Sequence, residues 1–155
     1  MNNSIFKQIM LLLTIALITI SCDRNDTNYE YNIVGHWKVI AFYDYGNSIK
    51  TIKLSENTWM DFNNGDNTIT FIPSDDTKGS VYGINVTNAF SGNYSVDSKG
   101  IIFIENHIST YVNEPEWGRL FHAIEYVEEY VIEKNVLIMF YNNKKNSITL
   151  ERIGN

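Results

Sequence analysis

Several things are scarce in this 155-residue chain, and each scarcity excludes a class of protein. A single cysteine cannot form an intramolecular disulfide, so a disulfide-stapled scaffold is excluded. Two prolines and no low-complexity run argue against a disordered or repetitive chain. Basic residues number 12 against 18 acidic ones, a formal charge of −6. Because no basic patch interrupts this acidity, we expect no nucleic-acid partner.

Motifs for catalysis and metal binding are missing as well. No Gly-x-Ser-x-Gly segment and no phosphate-cradling glycine loop occurs. His36, His107 and His122 are scattered, whereas zinc sites use His and Cys ligands at short, regular spacing. Asp75 and Asp76 alone supply too few oxygens to hold calcium. We therefore expect a protein that is not an enzyme, with no catalytic residue, no metal site and no cofactor.

The first 22 residues form a segment with its own pattern. Lys7 supplies a positive charge, residues 9–20 carry no charge, and the small Ser21 precedes the lone Cys22. The uncharged run is shorter than the about 20 residues that a transmembrane helix needs. This order is typical of a secretory signal peptide. Because a cysteine directly follows the small residue, the segment resembles the lipobox of bacterial lipoproteins. That resemblance implies cleavage before Cys22 and lipidation of its thiol.

The predicted domain organisation follows from this leader. Residues 1–21 are expected to be a removed lipoprotein signal peptide, and residues 22–32 a flexible acidic tether. Residues 33–153 have the length of one domain. We expect the protein at the bacterial cell envelope, most simply at the outer membrane, with either face open. The lipid bilayer is then one partner, reached through acylated Cys22.

The composition of the remaining chain favours strands. Aromatic residues make up 14 % of the sequence, and ten of them are tyrosines. Alternating apolar runs separated by Asn, Gly and Asp clusters predict short antiparallel strands. One predicted hairpin joins residues 58–62 to residues 68–72 through Asn64-Gly65, so Met60 and Phe62 are expected to share a face with Ile69 and Phe71. All three tryptophans fall on apolar faces and are expected in the core: Trp37, Trp59 and Trp117.

The apolar period changes near Glu116. One helical stripe, at i, i+3, i+4, i+7 and i+10, predicts an amphipathic helix over about residues 116–127, with Asn113 as its N-cap. The stripe consists of Trp117, Leu120, Phe121, Ile124 and Val127. The predicted fold class is α+β and β-rich: a twisted antiparallel sheet or partly closed barrel with one amphipathic helix.

Motifs spread over residues 33–153 resemble those of the META-domain family, bacterial envelope proteins of the HslJ type. They are Gly35-His36-Trp37, Ile69-Thr70-Phe71, Gly83-Ile84-Asn85, Gly92-Asn93-Tyr94, and Thr110 with Glu116, Phe121 and Ile124. Gly-x-Trp also opens lipocalin-like domains. Many family members have two cysteines near positions that Ile84 and Val112 occupy here. The resemblance implies a strongly twisted, barrel-like sheet crossed by one helix, and it implies no agreed activity.

Two classes of function stay open, and a third is weaker. The first is a non-catalytic module that binds another envelope or secreted protein, with inhibition of exported proteases as its concrete form. The second is a small-molecule or glycan binder in a lipocalin-like half-barrel. The third is an envelope-stress structural protein without a discrete ligand. Two polar loops are the candidate contact segments: Pro73, Ser74, Asp75, Asp76, Thr77 and Lys78, and Asn113, Glu114, Pro115 and Glu116.

Overall fold

A nine-stranded antiparallel sheet makes up most of the fold. The computed structural model describes residues 32–110 and 112–154, so the predicted leader, Cys22 and nearly all of the tether lie outside the described residues. The strands are β1 (Gly35–Asp44), β2 (Ile49–Thr51), β3 (Thr68–Pro73), β4 (Lys78–Asn85), β5 (Asn88–Val96), β6 (Ile102–Ser109), β7 (Val127–Glu133), β8 (Val136–Tyr141) and β9 (Asn146–Arg152). The described helices are α1 (Glu116–Leu120) and two 3-10 helices, Asn63–Gly65 and Phe121–Tyr126.

The sheet curls into a nearly closed barrel. Its strand order is β6-β5-β4-β3-β1-β9-β8-β7, and the short β2 pairs with β1 outside this path. The two end strands approach each other at an isolated bridge between Ile101 and Glu129. Beside it, the Tyr130 N–H donates to the Gly100 carbonyl at 2.7 Å. The predicted fold class, a β-rich, partly closed barrel with one helix, is therefore confirmed.

Aromatic side chains fill the interior of this barrel. Three edge-to-face ring pairs span it, with centroids 4.9 to 5.7 Å apart. They are Phe42–Trp117, Phe71–Tyr94 and Phe90–Phe121. On β4, Gly79 and Gly83 leave room for the rings of Tyr94 and Phe90, because a Cβ at either glycine would overlap the ring and a carbonyl of β3. The barrel is thus packed rather than hollow.

The register of β1 defines two ends of the barrel. At the entry end, where Asn32 leads into β1, lie the turns 74–77, 97–100 and 134–135. Here Gly35 pairs with Phe71 of β3. At the far end, Asp44 of β1 pairs with Asn146 of β9 and with Ile49 of β2. Segment 52–67, the 86–87 turn and segment 110–126 lie at this far end, because they join strand ends there.

The chain is fastened where it enters the barrel. The Arg152 guanidinium donates to the Val34 carbonyl at 2.7 Å and lies over the Trp37 ring, 4.1 Å from its centroid. One residue on, the Ile153 N–H donates to the His36 carbonyl at 2.9 Å. The last residues of β9 therefore clamp the first residues of β1.

The predicted helix is shorter than expected, although its buried face is as predicted. Regular α-helix ends at Leu120, and residues 121–126 continue as a 3-10 helix. Trp117, Phe121 and Ile124 are all buried. A 3-10 helix has three residues per turn, so an i, i+3 pair still shares one face. The expected Asn113 cap is wrong, because Pro115 precedes the first turn and no side chain caps it.

The predicted hairpin of residues 58–62 with β3 is wrong. β3 pairs instead with β1 and β4, and segment 58–62 contains no strand residue. Met60 and Phe62 are 53 % and 52 % exposed. Trp59, expected in the core, is 38 % exposed, whereas Trp37 and Trp117 are fully buried as predicted. Within the described ranges, no helix is both long and apolar enough to cross a membrane.

Candidate binding surfaces at the far end

Exposed apolar side chains concentrate at the far end of the barrel. Of the thirteen large hydrophobic side chains exposed in the described part of the chain, seven lie between positions 45 and 62. These seven are Tyr45, Ile49, Ile52, Leu54, Trp59, Met60 and Phe62. The other six lie between residues 72 and 126, where Tyr82 and Ile84 share the exposed face of β4. A concentration of this kind, unlike single exposed hydrophobics, is typical of an interaction surface.

The segment 52–66, here called the far loop, has two polar side chains, Asn57 and Thr58, that bond to the loop's own backbone. The Thr58 hydroxyl is buried and donates to the Gly65 carbonyl at 3.0 Å. The Asn57 amide accepts from the Leu54 N–H at 2.9 Å and donates to the Ile52 carbonyl at 2.9 Å. These side chains satisfy the loop's own backbone. Asn57 and Thr58 therefore hold the loop together, while its large apolar side chains are exposed.

Two further contacts fix the far loop to itself and to the barrel. Lys53 Nζ lies 2.5 Å from the Asp66 carboxylate and donates to the Asn64 carbonyl at 3.0 Å. The Trp117 N–H donates to the Asn57 carbonyl at 2.9 Å, which joins the loop to α1. A surface held in one conformation before binding loses less entropy when a partner docks.

The tip of the far loop presents two aromatic rings together. The Phe62 N–H donates to the Trp59 carbonyl at 3.1 Å, so one turn carries both residues. Their ring centroids lie 6.2 Å apart. Met60 and the exposed Asp61 stand between them in sequence. Trp, Phe and Met are enriched at the centres of protein–protein interfaces.

A buried polar cluster lies beneath segment 110–114, also at the far end. Glu114 is 4 % exposed, and its Oε1 accepts from the Asn88 side chain at 2.7 Å, the Asn88 N–H at 2.8 Å and the Thr87 N–H at 3.2 Å. In return, Asn88 Oδ1 accepts from the Val112 N–H at 2.7 Å and the Thr110 hydroxyl at 3.0 Å. This cluster joins the β4–β5 turn to the segment that leads into α1.

The second oxygen of Glu114 is enclosed by α1. A Cβ at Gly118 would overlap Oε2, so a glycine is needed at that position. Oε2 has no hydrogen-bond partner among the described residues, and the same holds for Asn85 Oδ1 and Trp117 Nε1. Of the segment predicted to contact a partner, Glu114 and Pro115 are buried, and Asn113 and Glu116 are at the surface.

The other predicted contact segment lies at the entry end. Pro73 ends β3, Lys78 begins β4, and the turn between them is exposed throughout. Asp75 Oδ1 accepts from the N–H groups of Thr77 and Lys78, both at 2.8 Å, and from the Thr77 hydroxyl at 3.0 Å. These bonds, those of Thr77 foremost, hold the pKa of Asp75 below its ordinary value. The two predicted segments lie at opposite ends and do not form one site.

An open cavity of about 470 Å³ lies at the far end, beside the buried polar cluster. It is lined by Asn88, Thr110, Val112, Asn113, Glu114, Arg119 and His122. Arg119 Nη1 donates to the Glu114 carbonyl at 2.7 Å. Its volume is in the range of small-molecule sites, which spans about 300–1,000 Å³. The described residues contain no group of three or more His, Cys, Asp or Glu side chains that could hold a metal ion.

Comparisons with known proteins inform the fold alone. No family model matches the chain, and no curated protein matches it. A solved structure of a DUF4847 family protein from Bacteroides vulgatus is similar, with a TM-score of 0.56 and 19 % sequence identity. The match covers 78 % of this chain and 94 % of that one. The barrel-like architecture is thus shared with a natural protein of known structure.

Proposed function

We propose that this chain is a non-catalytic protein-binding module, held at the bacterial envelope by a lipid on Cys22, with the far loop as its contact surface. The observation that carries the proposal is the ordered far loop with exposed apolar side chains. Asn57 and Thr58 bond to its backbone, and Leu54, Trp59, Met60 and Phe62 are exposed on it. Exposing so many large apolar side chains on an ordered segment is unfavourable unless a partner covers them.

The position of the proposed anchor supports this assignment. Asn32 follows Cys22 by ten residues, which reach at most about 35 Å when fully extended. The chain then enters β1 at the entry end, whereas the far loop leaves β2 opposite Phe42 and re-enters the sheet opposite Lys38, beside the second half of β1. A lipid on Cys22 therefore holds the entry end nearer the bilayer and leaves the far loop directed outward.

The charges of the far loop favour a protein over a membrane as its partner. Glu56 and Asp61 are exposed beside the apolar tip, and Lys53 is already paired with Asp66. Anionic lipid headgroups repel exposed carboxylates. A protein with an apolar pocket edged by basic residues fits the same surface on both counts.

A double substitution at the tip tests the proposal. We expect the full-length protein to capture a specific envelope or secreted partner after cross-linking, and Trp59→Ser with Phe62→Ser to lose it at unchanged thermal stability. Phe103→Ser is the matched control, because Phe103 is an exposed aromatic residue on β6, outside the far loop. Equal capture by all three proteins would refute the far loop as the contact surface.

An exported protease is the more specific partner that we propose within this class. The far loop, rather than the 74–77 turn, is the segment placed to meet it, since that turn lies at the entry end. The test is titration of the purified chain against secreted proteases. Slower peptide hydrolysis at micromolar protein, restored by the Trp59→Ser and Phe62→Ser changes, supports inhibition. Unchanged hydrolysis would refute protease inhibition and leave only partners that are not proteases.

We also propose, from the sequence motifs alone, a relationship to the META-domain family.

A small-molecule binder is the second candidate function, and the far-end cavity favours it. The interior that a lipocalin-like half-barrel would offer to a ligand is filled by rings such as Trp37, Phe71 and Trp117. Any small ligand is therefore expected at the rim of the barrel instead.

A further inference from the structure

We infer that the far-end cavity is a binding site for a small organic carboxylate, with Arg119 and His122 contacting the carboxylate oxygens. The inference goes beyond the proposed protein contact, and residues outside the far loop carry it. The shared chemistry is a carboxylate on a group of sugar or dipeptide size, as found in sugar acids and at peptide C-termini.

Arg119 is held in place without being neutralised. Its Nη1 donates to the Glu114 carbonyl at 2.7 Å, and the Asn88 cluster fixes Glu114 in turn. No carboxylate among the described residues pairs with Arg119, whereas Lys38, Lys53 and Lys144 each have one. The remaining N–H groups of a guanidinium form a planar fork that matches a carboxylate.

His122 adds a second donor on the same cavity. Its ring is half-buried, lines the cavity with Arg119, and has no hydrogen-bond partner in the described part of the chain. In a chain of net charge −6, a guanidinium without a carboxylate partner beside a second side-chain donor on one cavity is an exception. An anionic oxygen pair satisfies both, and the half-burial of His122 strengthens its contact, whereas Arg119 is exposed.

The acidic group of the cavity is already engaged elsewhere. Glu114 Oε1 accepts three N–H donors, and Oε2 lies against Gly118, so neither oxygen bonds to Arg119. Val112 is 61 % exposed and supplies an apolar wall for the rest of a ligand. The site thus offers a cationic end and an apolar side in about 470 Å³.

Titration followed by two-dimensional NMR tests the site on the folded chain. The probes are D-glucuronate and N-acetyl-Ala-Ala, and their neutral counterparts are glucose and N-acetyl-Ala-Ala amide. We expect one or both acids to bind with a Kd of about 1 mM, the affinity typical of ligands this small. Shifts should concentrate at residues 110–122, and the stronger acid identifies the source class.

Substitutions separate a built site from general charge attraction. Arg119→Gln should weaken acid binding at least about tenfold, His122→Gln about threefold, and Arg119→Lys by an intermediate factor, because it keeps the charge and loses the fork. Lys99→Gln, which removes an exposed cation at the entry end, and the Trp59→Ser, Phe62→Ser protein should bind unchanged.

Three results would overturn the inference. They are no saturable shift at about 20 mM acid, equal binding of the neutral counterparts, and equal weakening by Lys99→Gln. If the Arg119→Gln protein does not fold, the acid affinities of the His122→Gln and Arg119→Lys proteins test the site instead. Because the far-loop variant retains acid binding only if the two surfaces are independent, failure of this site and failure of the protein contact are distinguishable.

Discussion

The two ends of the barrel close in different ways. At the entry end, strands are joined by short turns in which an aspartate accepts backbone N–H groups, as Asp75 and Asp97 do. The far end has short turns too, at 45–48, 86–87 and 142–145, but it alone also has long connections: the far loop joins β2 to β3, and segment 110–126 joins β6 to β7. Short turns end a sheet at low entropic cost, whereas long connections can carry surfaces for recognition. The difference places the candidate binding surfaces at the far end, whose long connections depend on buried packing and buried polar contacts for their shape.

The largest expected loss of stability comes from removing the buried indole ring of Trp117 at the far end. Trp117 is fully buried and its ring packs edge-to-face on Phe42, 4.9 Å between centroids. Trp117→Ala should lower the free energy of unfolding by about 3–5 kcal/mol, measured by urea denaturation. The control is Tyr126→Ala, an exposed aromatic in the same segment, with less than about 0.5 kcal/mol expected. A loss below about 1 kcal/mol for Trp117→Ala would contradict the packed interior.

The second-largest loss of stability is expected from removing the buried carboxylate of Glu114. Glu114→Ala leaves the Asn88 side chain and two backbone N–H groups without their acceptor, so we expect a loss of about 2–4 kcal/mol. Glu114→Gln keeps one acceptor oxygen and should cost less. Glu116→Ala, at an exposed position two residues on, should be nearly neutral. Equal stability of the Glu114→Ala and Glu116→Ala proteins would show that the cluster does not hold the far end.

A smaller and more local effect is expected within the far loop. Asn57→Ala removes the hydrogen bonds to the Leu54 N–H and the Ile52 carbonyl. The free energy of local opening should fall by about 1 kcal/mol, seen as faster hydrogen exchange at the Leu54 amide. Global stability should change little, as it should for Asn93→Ala on β5. If the Leu54 amide exchanges at the same rate in the Asn57→Ala protein as in the unchanged protein, the side chain of Asn57 does not order the loop.

The entry end should give the smallest effect, visible only in acid. Hydrogen bonds hold the pKa of Asp75 and Asp97 below the ordinary 3.8, led by those from Thr77 and from Ile101 respectively. Because the folded-state pKa is lowered, each group stabilises the fold above pH 3.8 and loses this contribution as the pH falls through the folded value. Asp75→Asn with Asp97→Asn should flatten the pH dependence of thermal stability below about pH 4. An unchanged acid profile would contradict this.

The fold could be predicted because its main signal is local. Alternating strands and the stripe of Trp117, Phe121 and Ile124 report burial directly, so spacing alone identifies them. The helix itself was harder, because the same stripe suits an α-helix or a 3-10 helix. Its predicted length was therefore too great, while its buried face was right.

The far loop could not be predicted, because its apolar pattern resembles that of a strand. Met60 and Phe62 alternate as core residues of a strand do, and spacing does not say whether a core lies opposite. Polar residues determine the loop conformation instead: Asn57 and Thr58 bond to the loop backbone, and Asn63 and Asn64 adopt positive φ. The adjacent Trp59 and Met60, which break strict alternation, were the available warning. Glu114 was likewise unpredictable, since its main partner, Asn88, lies 26 residues earlier.

The clamp of Arg152 on Val34 and Trp37 has a mechanical consequence. Any tension on the residues before Asn32 acts along β1, which lies between β3 and β9 in the middle of the sheet. The hydrogen bonds on both sides of that strand are then loaded in shear, all together, rather than unzipped one at a time. If the chain is tethered through Cys22 as proposed, force on the tether would not readily pull the barrel open.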